Sequence, residues 1–139
     1  MTGDFSLAVH ALVYLNHKRE SVSSAALAQN ICTNPARVRK VMTQIVRAGL
    51  ANTREGAGGG YTFAGNAEEM TLRDIAQAVD ARFVEANWRS GSEDMDCLVA
   101  SGMARVMDDL YGDLNARCMQ RLSGICVADI DRQIFGGQA

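Results

Sequence analysis

The stretch Thr33-Asn34-Pro35-Ala36-Arg37-Val38-Arg39-Lys40-Val41-Met42-Thr43-Gln44-Ile45-Val46-Arg47-Ala48-Gly49-Leu50 decides the reading of this chain. Asn34 offers a capping side chain, and Pro35 is pre-set for the first helical position, where its missing N–H is not needed. The pattern predicts a helix from Pro35 to Ala48 that Gly49 stops. Val38, Met42, Ile45 and Val46 recur on its inner face, while Arg37, Lys40, Gln44 and Arg47 lie on the outer side with Arg39 near the boundary. Upstream, Ser23 caps a shorter helix whose apolar positions are Ala26, Leu27 and Ile31. Two short helices joined by a tight turn, the second apolar on one face and arginine-rich on the other, form a helix-turn-helix.

Working outward, Phe5, Leu7, Ala8, Ala11, Leu12 and Leu15 recur at threes and fours, which predicts a helix to Lys18 with Asp4 as its N-cap. His10 and His17 lie one heptad apart on it, too far apart to share a metal, and read as core-edge and helix-end residues. After Leu50 the pattern becomes a strand to Arg54, a Glu55-Gly-Ala-Gly-Gly-Gly60 tip and a second strand at Tyr61-Thr62-Phe63. A hairpin with a glycine-rich tip that can approach another surface closely fits a wing. A phosphate-cradling loop would need a following helix and a Lys-Ser/Thr pair, which this loop lacks. Thr71-Leu-Arg-Asp74 has capping-box form and opens a helix through Ile75, Ala78 and Val79. From Met95 onward, Leu98, Val99, Met103, Val106, Met107, Leu110, Tyr111, Leu114, Cys118 and Leu122 form one continuous apolar seam. A helix this extended, with Asp108, Asp109 and Asp113 on its other faces, pairs with its copy in a second subunit. Val99, Met103, Val106, Leu110, Leu114 and Cys118 are the expected dimer-interface residues. Cys126-Val-Ala-Asp129 repeats the cap pattern and starts a last helix through Ile130 and Ile134, with the chain loose from Gly136.

The expected fold class is mainly α: a winged helix-turn-helix unit over residues 1–82, then a linker, a long dimerisation helix and a C-terminal helix over 83–139. The chain has 139 residues, 47% hydrophobic and 22% charged, which excludes disorder and two large domains. No apolar run approaches the roughly 20 residues a bilayer needs, and there is no export pattern at the N-terminus, so no membrane partner and a cytoplasmic location are expected. The net charge of −2 hides an asymmetry. Residues 1–65 carry seven cations against three acids, a net of +4, and the remaining 74 residues carry seven against thirteen, a net of −6. Such polarity points to a polyanion partner for the first half. Four cysteines, at 32, 97, 118 and 126, form no CxxC, so a thiol reductase is excluded. The two histidines share one early helix, and no paired carboxylates or Ser-His-Asp arrangement is suggested, which argues against an enzyme.

The Phe5–Leu15 helix, the Asn34-Pro35 to Ala48-Gly49-Leu50 unit, the Gly56–Tyr61 tip, Thr71–Val79 and the long helix ending in Cys126-Val-Ala-Asp-Ile together resemble the Rrf-type winged-helix transcriptional regulators, the IscR/NsrR/CymR group. The likeness covers nearly the whole chain and implies a homodimer that binds double-stranded DNA. Cluster-binding members of that group carry three closely spaced cysteines before the dimer helix. Here Glu85 to Leu98 holds Cys97 alone, so the resemblance is to the cluster-free branch, and neither a metal nor another cofactor is expected.

The function expected from these readings is sequence-specific DNA binding by a regulator, a repressor acting as a homodimer on a pseudo-palindromic operator. Arg37 is the first choice for a base contact, and Arg39 lies beside it on the first turns. Lys40 and Arg47 are placed on phosphates, Gln44 on the same face, Ser24 as a phosphate donor, and Arg54 with Gly58 and Gly59 against the backbone or minor groove. Cys32, at the turn before the recognition helix, and Cys97, at the entry to the dimer helix, are the candidate redox-sensing thiols. Two alternatives stay open: an iron-sulfur sensor completed by Asp94 or Asp96 and a partner chain, and a winged-helix module that binds protein.

Overall fold

The structure is a computed structural model and describes residues 2–136. In chain order the elements are α1 (Thr2–Lys18), α2 (Ser24–Ile31), α3 (Pro35–Arg47), β1 (Ala51–Arg54), β2 (Gly60–Phe63), α4 (Leu72–Ala78), α5 (Leu98–Leu122) and α6 (Val127–Phe135). Short-range chemistry sets most of the boundaries. Ser23 Oγ accepts from Ala26 N at 3.1 Å, and Asn34 Oδ1 accepts from Arg37 N at 2.8 Å, with Pro35 opening α3. Beyond α3, Gly49 N donates to Val46 O at 2.9 Å and Leu50 N to Ile45 O at 3.1 Å. This crossed pair is the glycine-centred C-terminal motif that satisfies the last free carbonyls of a helix. Thr71 and Asp74 bond reciprocally through their side chains and backbone N–H groups, at 2.9 and 3.1 Å.

One expectation at a boundary is corrected. Helix α1 starts at Thr2, so Asp4 lies within its first turn rather than capping it. Its carboxylate is then free to face across to Arg37, 3.5 Å away.

Leu12, Leu15, Leu27, Val38, Val41, Met42, Ile45 and Ile75 are fully enclosed, joining α1, α2, α3 and α4 in one core. Val41 takes the place on the inner face of α3 that the spacing gave to Val46, which is half-buried. Val127, at the start of α6, is also fully enclosed, and Ala128 N donates to Ala67 O at 3.0 Å. The C-terminal helix thus folds back onto the N-terminal unit, against α1. The last three residues of the expected loose end, 137–139, lie outside the described residues.

Strands β1 and β2 pair antiparallel, Ala51 opposite Phe63 and Arg54 opposite Gly60. Val22, between α1 and α2, adds a bridge to Tyr61 through two backbone bonds of 2.9 and 2.8 Å. The hairpin is therefore anchored to the helix-turn-helix and does not project from it alone.

Helix α5 has no buried residue. Its apolar positions divide into two stripes about 110° apart on a helical projection. Ala104, Met107, Tyr111, Asn115 and Leu122 are half-buried. Asn115 Oδ1 accepts from Phe83 N at 3.0 Å and Val84 N at 2.8 Å, and its Nδ2 donates to Val84 O. Arg89 reaches Asp108 at 2.6 Å. The other stripe is in solvent: Val99 is 67% exposed, Val106 60% and Leu110 46%, with Met103 and Leu114 also exposed. Cys118 is half-buried between the two. The single seam read from the sequence is thus two surfaces, one committed to the linker and to α4 and the core of its own chain and one uncovered.

Candidate nucleic-acid interface

With Val38, Val41, Met42 and Ile45 turned inward, a rotation of about 100° per residue fixes what α3 presents outward. Ala36, Lys40, Thr43 and Arg47 form its central line and all are exposed. Arg37 and Arg39 are exposed on opposite flanks, and Gln44 is half-buried. Each flanking arginine is held by a neighbouring helix. The Arg37 guanidinium lies 3.5 Å from the Asp4 carboxylate of α1, and Arg39 Nη1 donates to Ser24 Oγ of α2 at 3.4 Å. Thr43 Oγ1 donates back to Arg39 O at 2.8 Å. Sequence reasoning passed over Ala36 and Thr43 because neither is charged; the helical angle from Val38 and Ile45 would have found them.

The wing adds Arg54 and the 55–59 tip, all exposed except Gly59, which is half-buried. The tip closes through Gly59 N donating to Gly56 O at 3.0 Å. A Cβ on Gly59 would strike the Arg54 carbonyl, whereas one on Gly58 would meet nothing within 4 Å. Gly58 is therefore open to an approaching surface, and Gly59 shapes the turn beneath it. Five of the seven cations in the first half of the chain, Arg37, Arg39, Lys40, Arg47 and Arg54, are in this way gathered on α3 and the wing strand, while Lys18 and Arg19 lie at the end of α1.

The cysteines are dispersed. Cys32 ends α2 in a left-handed conformation, φ 65°, and is exposed, as is Cys97 at the N-cap of α5. Backbone N–H groups of Ala100 and then Val99, in the first turn of α5, hold the Cys97 thiol below its ordinary value. Cys118 and Cys126 are half-buried. Among the described residues no three His, Cys, Asp or Glu side chains converge as a metal site. The donors among the described residues, as they are placed, therefore do not fit an iron centre. No helix of the described residues is long and apolar enough to cross a membrane.

The sequence profile of the Rrf2 family, described as "Iron-dependent Transcriptional regulator", matches residues 1–133. The chain belongs to the Rrf2 family. The family is one of transcriptional regulators, and the chain has the winged helix-turn-helix, two-stranded wing and long C-terminal helix of the solved structures it resembles. Bacillus subtilis (strain 168) YwgB, named as a candidate HTH-type transcriptional regulator, is 33% identical over 84 residues, 59% of this chain. Those residues are 54% of YwgB, so the chain spans about half the length of the curated relative it matches. A solved structure of a candidate transcriptional regulator from Lactobacillus plantarum is 25% identical, with a TM-score of 0.85 over 99% of this chain and 92% of its own. T. potens IscR is 18% identical with a TM-score of 0.70 over 100% of this chain and 90% of its own. At that identity the likeness to IscR is one of fold. Within this Rrf2 chain the description of the family as iron-dependent meets described residues whose His, Cys, Asp and Glu side chains do not gather in threes.

Proposed function

We propose that this Rrf2-family regulator is a sequence-specific DNA-binding repressor of the cytoplasm, acting as a homodimer on a pseudo-palindromic operator with no resident cofactor. The observation that carries the reading is the exposed cationic face of α3, with Lys40 and Arg47 on its central line, Arg37 and Arg39 on its flanks, and Arg54 on the adjoining wing. A helix with this face enters a major groove with its early residues at base edges. Arg37 is then the base-reading residue, with Gln44 beside it on the same flank and Arg39 on the opposite flank. Lys40, Arg47 and Ser24 take phosphates, and Arg54, Gly58 and Gly59 bring the wing to the backbone. The uncovered stripe of α5, Val99, Met103, Val106, Leu110 and Leu114, with Cys118 at its border, is the dimer surface, because apolar side chains this exposed on one continuous helix face gain by pairing. Cys97, whose thiolate is favoured, and Cys32 are the thiols through which oxidation would act.

The test uses the full chain and duplexes enriched by it from a randomised library. Specific binding that weakens steeply with salt is expected, and Lys40→Ala should lower the log K against log salt slope by about 0.9. Arg37→Ala should relax preference at one base position by on the order of tenfold. Footprints should show two half-sites about one helical turn apart, and Val106→Asp should give monomers in sedimentation. Salt-insensitive binding to a protein, with no duplex enriched, would support the protein-binding module instead. Visible charge-transfer bands in anaerobically purified protein would support the cluster sensor. Cys32→Ser should remove any oxidant-induced dimer band on non-reducing gels.

A further inference from the structure

A second site lies away from the cationic face. The end of α1, the turn after the wing and the outer side of α6 enclose a polar cavity of about 460 Å³, lined by Asn16, Arg19, Asn66, Glu68, Asp131 and Arg132 together with small residues, Gly65, Ala67 and Ala128. Asn16 is the buried polar residue of the core, only 7% exposed. Its Oδ1 and the Oδ1 of Asp131 are both enclosed, and neither receives a hydrogen bond. Enclosed acceptors without donors are rare in folded proteins, and two lining one cavity indicate a missing donor group. The charges around them are also unequal in their commitments. Arg132 is fully engaged, at 2.7 Å from Glu68 and 2.6 Å from Asp129. Asp131 and Arg19 enter no ion pair among the described residues. Arg19 also holds a left-handed backbone, φ 58°, at the end of α1, a position where glycine is the usual choice. An arginine there carries a backbone cost and sets a free guanidinium beside the cavity.

We infer that this cavity is an effector site for a free α-amino acid with a small or polar side chain. An ammonium group brings three N–H donors and a positive charge to Asn16 Oδ1 and Asp131, and a carboxylate on the same carbon meets Arg19. A divalent cation would satisfy the acceptors but would be repelled by Arg19. The apolar part of the lining is alanine, which gives no purchase to a large hydrophobic side chain. Such a ligand would tie α6 and the end of α1 to the segment that follows the wing. The inference does not depend on the DNA reading.

Thermal unfolding of the full chain with each of the twenty free L-amino acids tests it, with N-acetyl and carboxamide derivatives as controls. One or a few small or polar amino acids should raise the melting temperature with dose, and the blocked derivatives should not. In titration calorimetry Arg19→Gly and Asp131→Asn should each weaken that ligand at least tenfold. Arg19→Gly relieves the left-handed backbone, so loss of binding cannot be laid to misfolding. A melt unmoved by any amino acid would overturn the site, as would blocked derivatives that bind as well as the parent or an Arg19→Gly protein of unchanged affinity. If Asn16→Ala and Asp131→Asn lower the melting temperature while no amino acid raises it, the two side chains bond to each other and the inference fails.

Discussion

Replacing Gly60 by alanine should uncouple the wing from the helix-turn-helix. Gly60 has φ 153°, a region that side-chain-bearing residues adopt at a cost of about 1–3 kcal/mol. The added Cβ would strike the Val22 carbonyl oxygen and lie 2.6 Å from its carbon and 2.9 Å from Ser23 N. These are backbone atoms, so relief means parting the Val22–Tyr61 bridge, whose two bonds measure 2.9 and 2.8 Å. At about 0.5–1.5 kcal/mol for each bond, the total is about 2–6 kcal/mol, a large share of the roughly 5–15 kcal/mol that holds a domain together. Gly58→Ala is the matched control. It also has positive φ, 76°, but its Cβ would meet nothing within 4 Å, so the cost is that of a left-handed alanine, about 1–2 kcal/mol. In urea, with a slope of about 2 kcal/mol/M, Gly60→Ala should lower the midpoint by about 1–3 M and Gly58→Ala by less than about 1 M. Two variants with midpoints within about 0.2 M of each other would refute the claim that the collision with Val22 fixes the wing.

Asn115→Ala should release the 83–84 backbone from α5, because one side chain makes all three bonds to it. At about 0.5–1.5 kcal/mol each the loss is about 2–4 kcal/mol, and limited proteolysis should cut the 85–96 segment faster in the variant than in wild type. Acid stability should carry a contribution from Asp129. The Cys126 backbone N–H, then the Arg132 guanidinium, hold its carboxyl down from 3.8 to about 2. A folded value below the unfolded one means stability that is complete above about pH 4 and lost as the pH falls toward 2. Urea midpoints should therefore fall more between those limits in wild type than in Asp129→Asn, and parallel profiles would count against the cap.

What the sequence determined by itself was whatever chemistry acts within about four residues along the chain. Ser23, Asn34 and the Thr71–Asp74 box bond to residues three positions further on and Gly49 to one three positions back, so residue type and spacing sufficed to place α2, α3 and α4. The cationic face followed from the same periodicity, since the angle between Val38 and Lys40 is fixed once the segment is helical. Tertiary structure alone decided which elements met. Asp4 reads as a cap until α1 is seen to begin at Thr2 with Arg37 of another helix across from it. The apolar residues of α5 have one period in sequence, yet they form two surfaces because only one of them is met by the chain's own 83–89 segment, α4 and the core. Nothing local distinguishes Asn16 or Asp131 from ordinary helix residues. Their unpaired oxygens acquire meaning only when α6, more than a hundred residues away in sequence, folds back beside α1, because burial withdraws water and makes a missing partner costly.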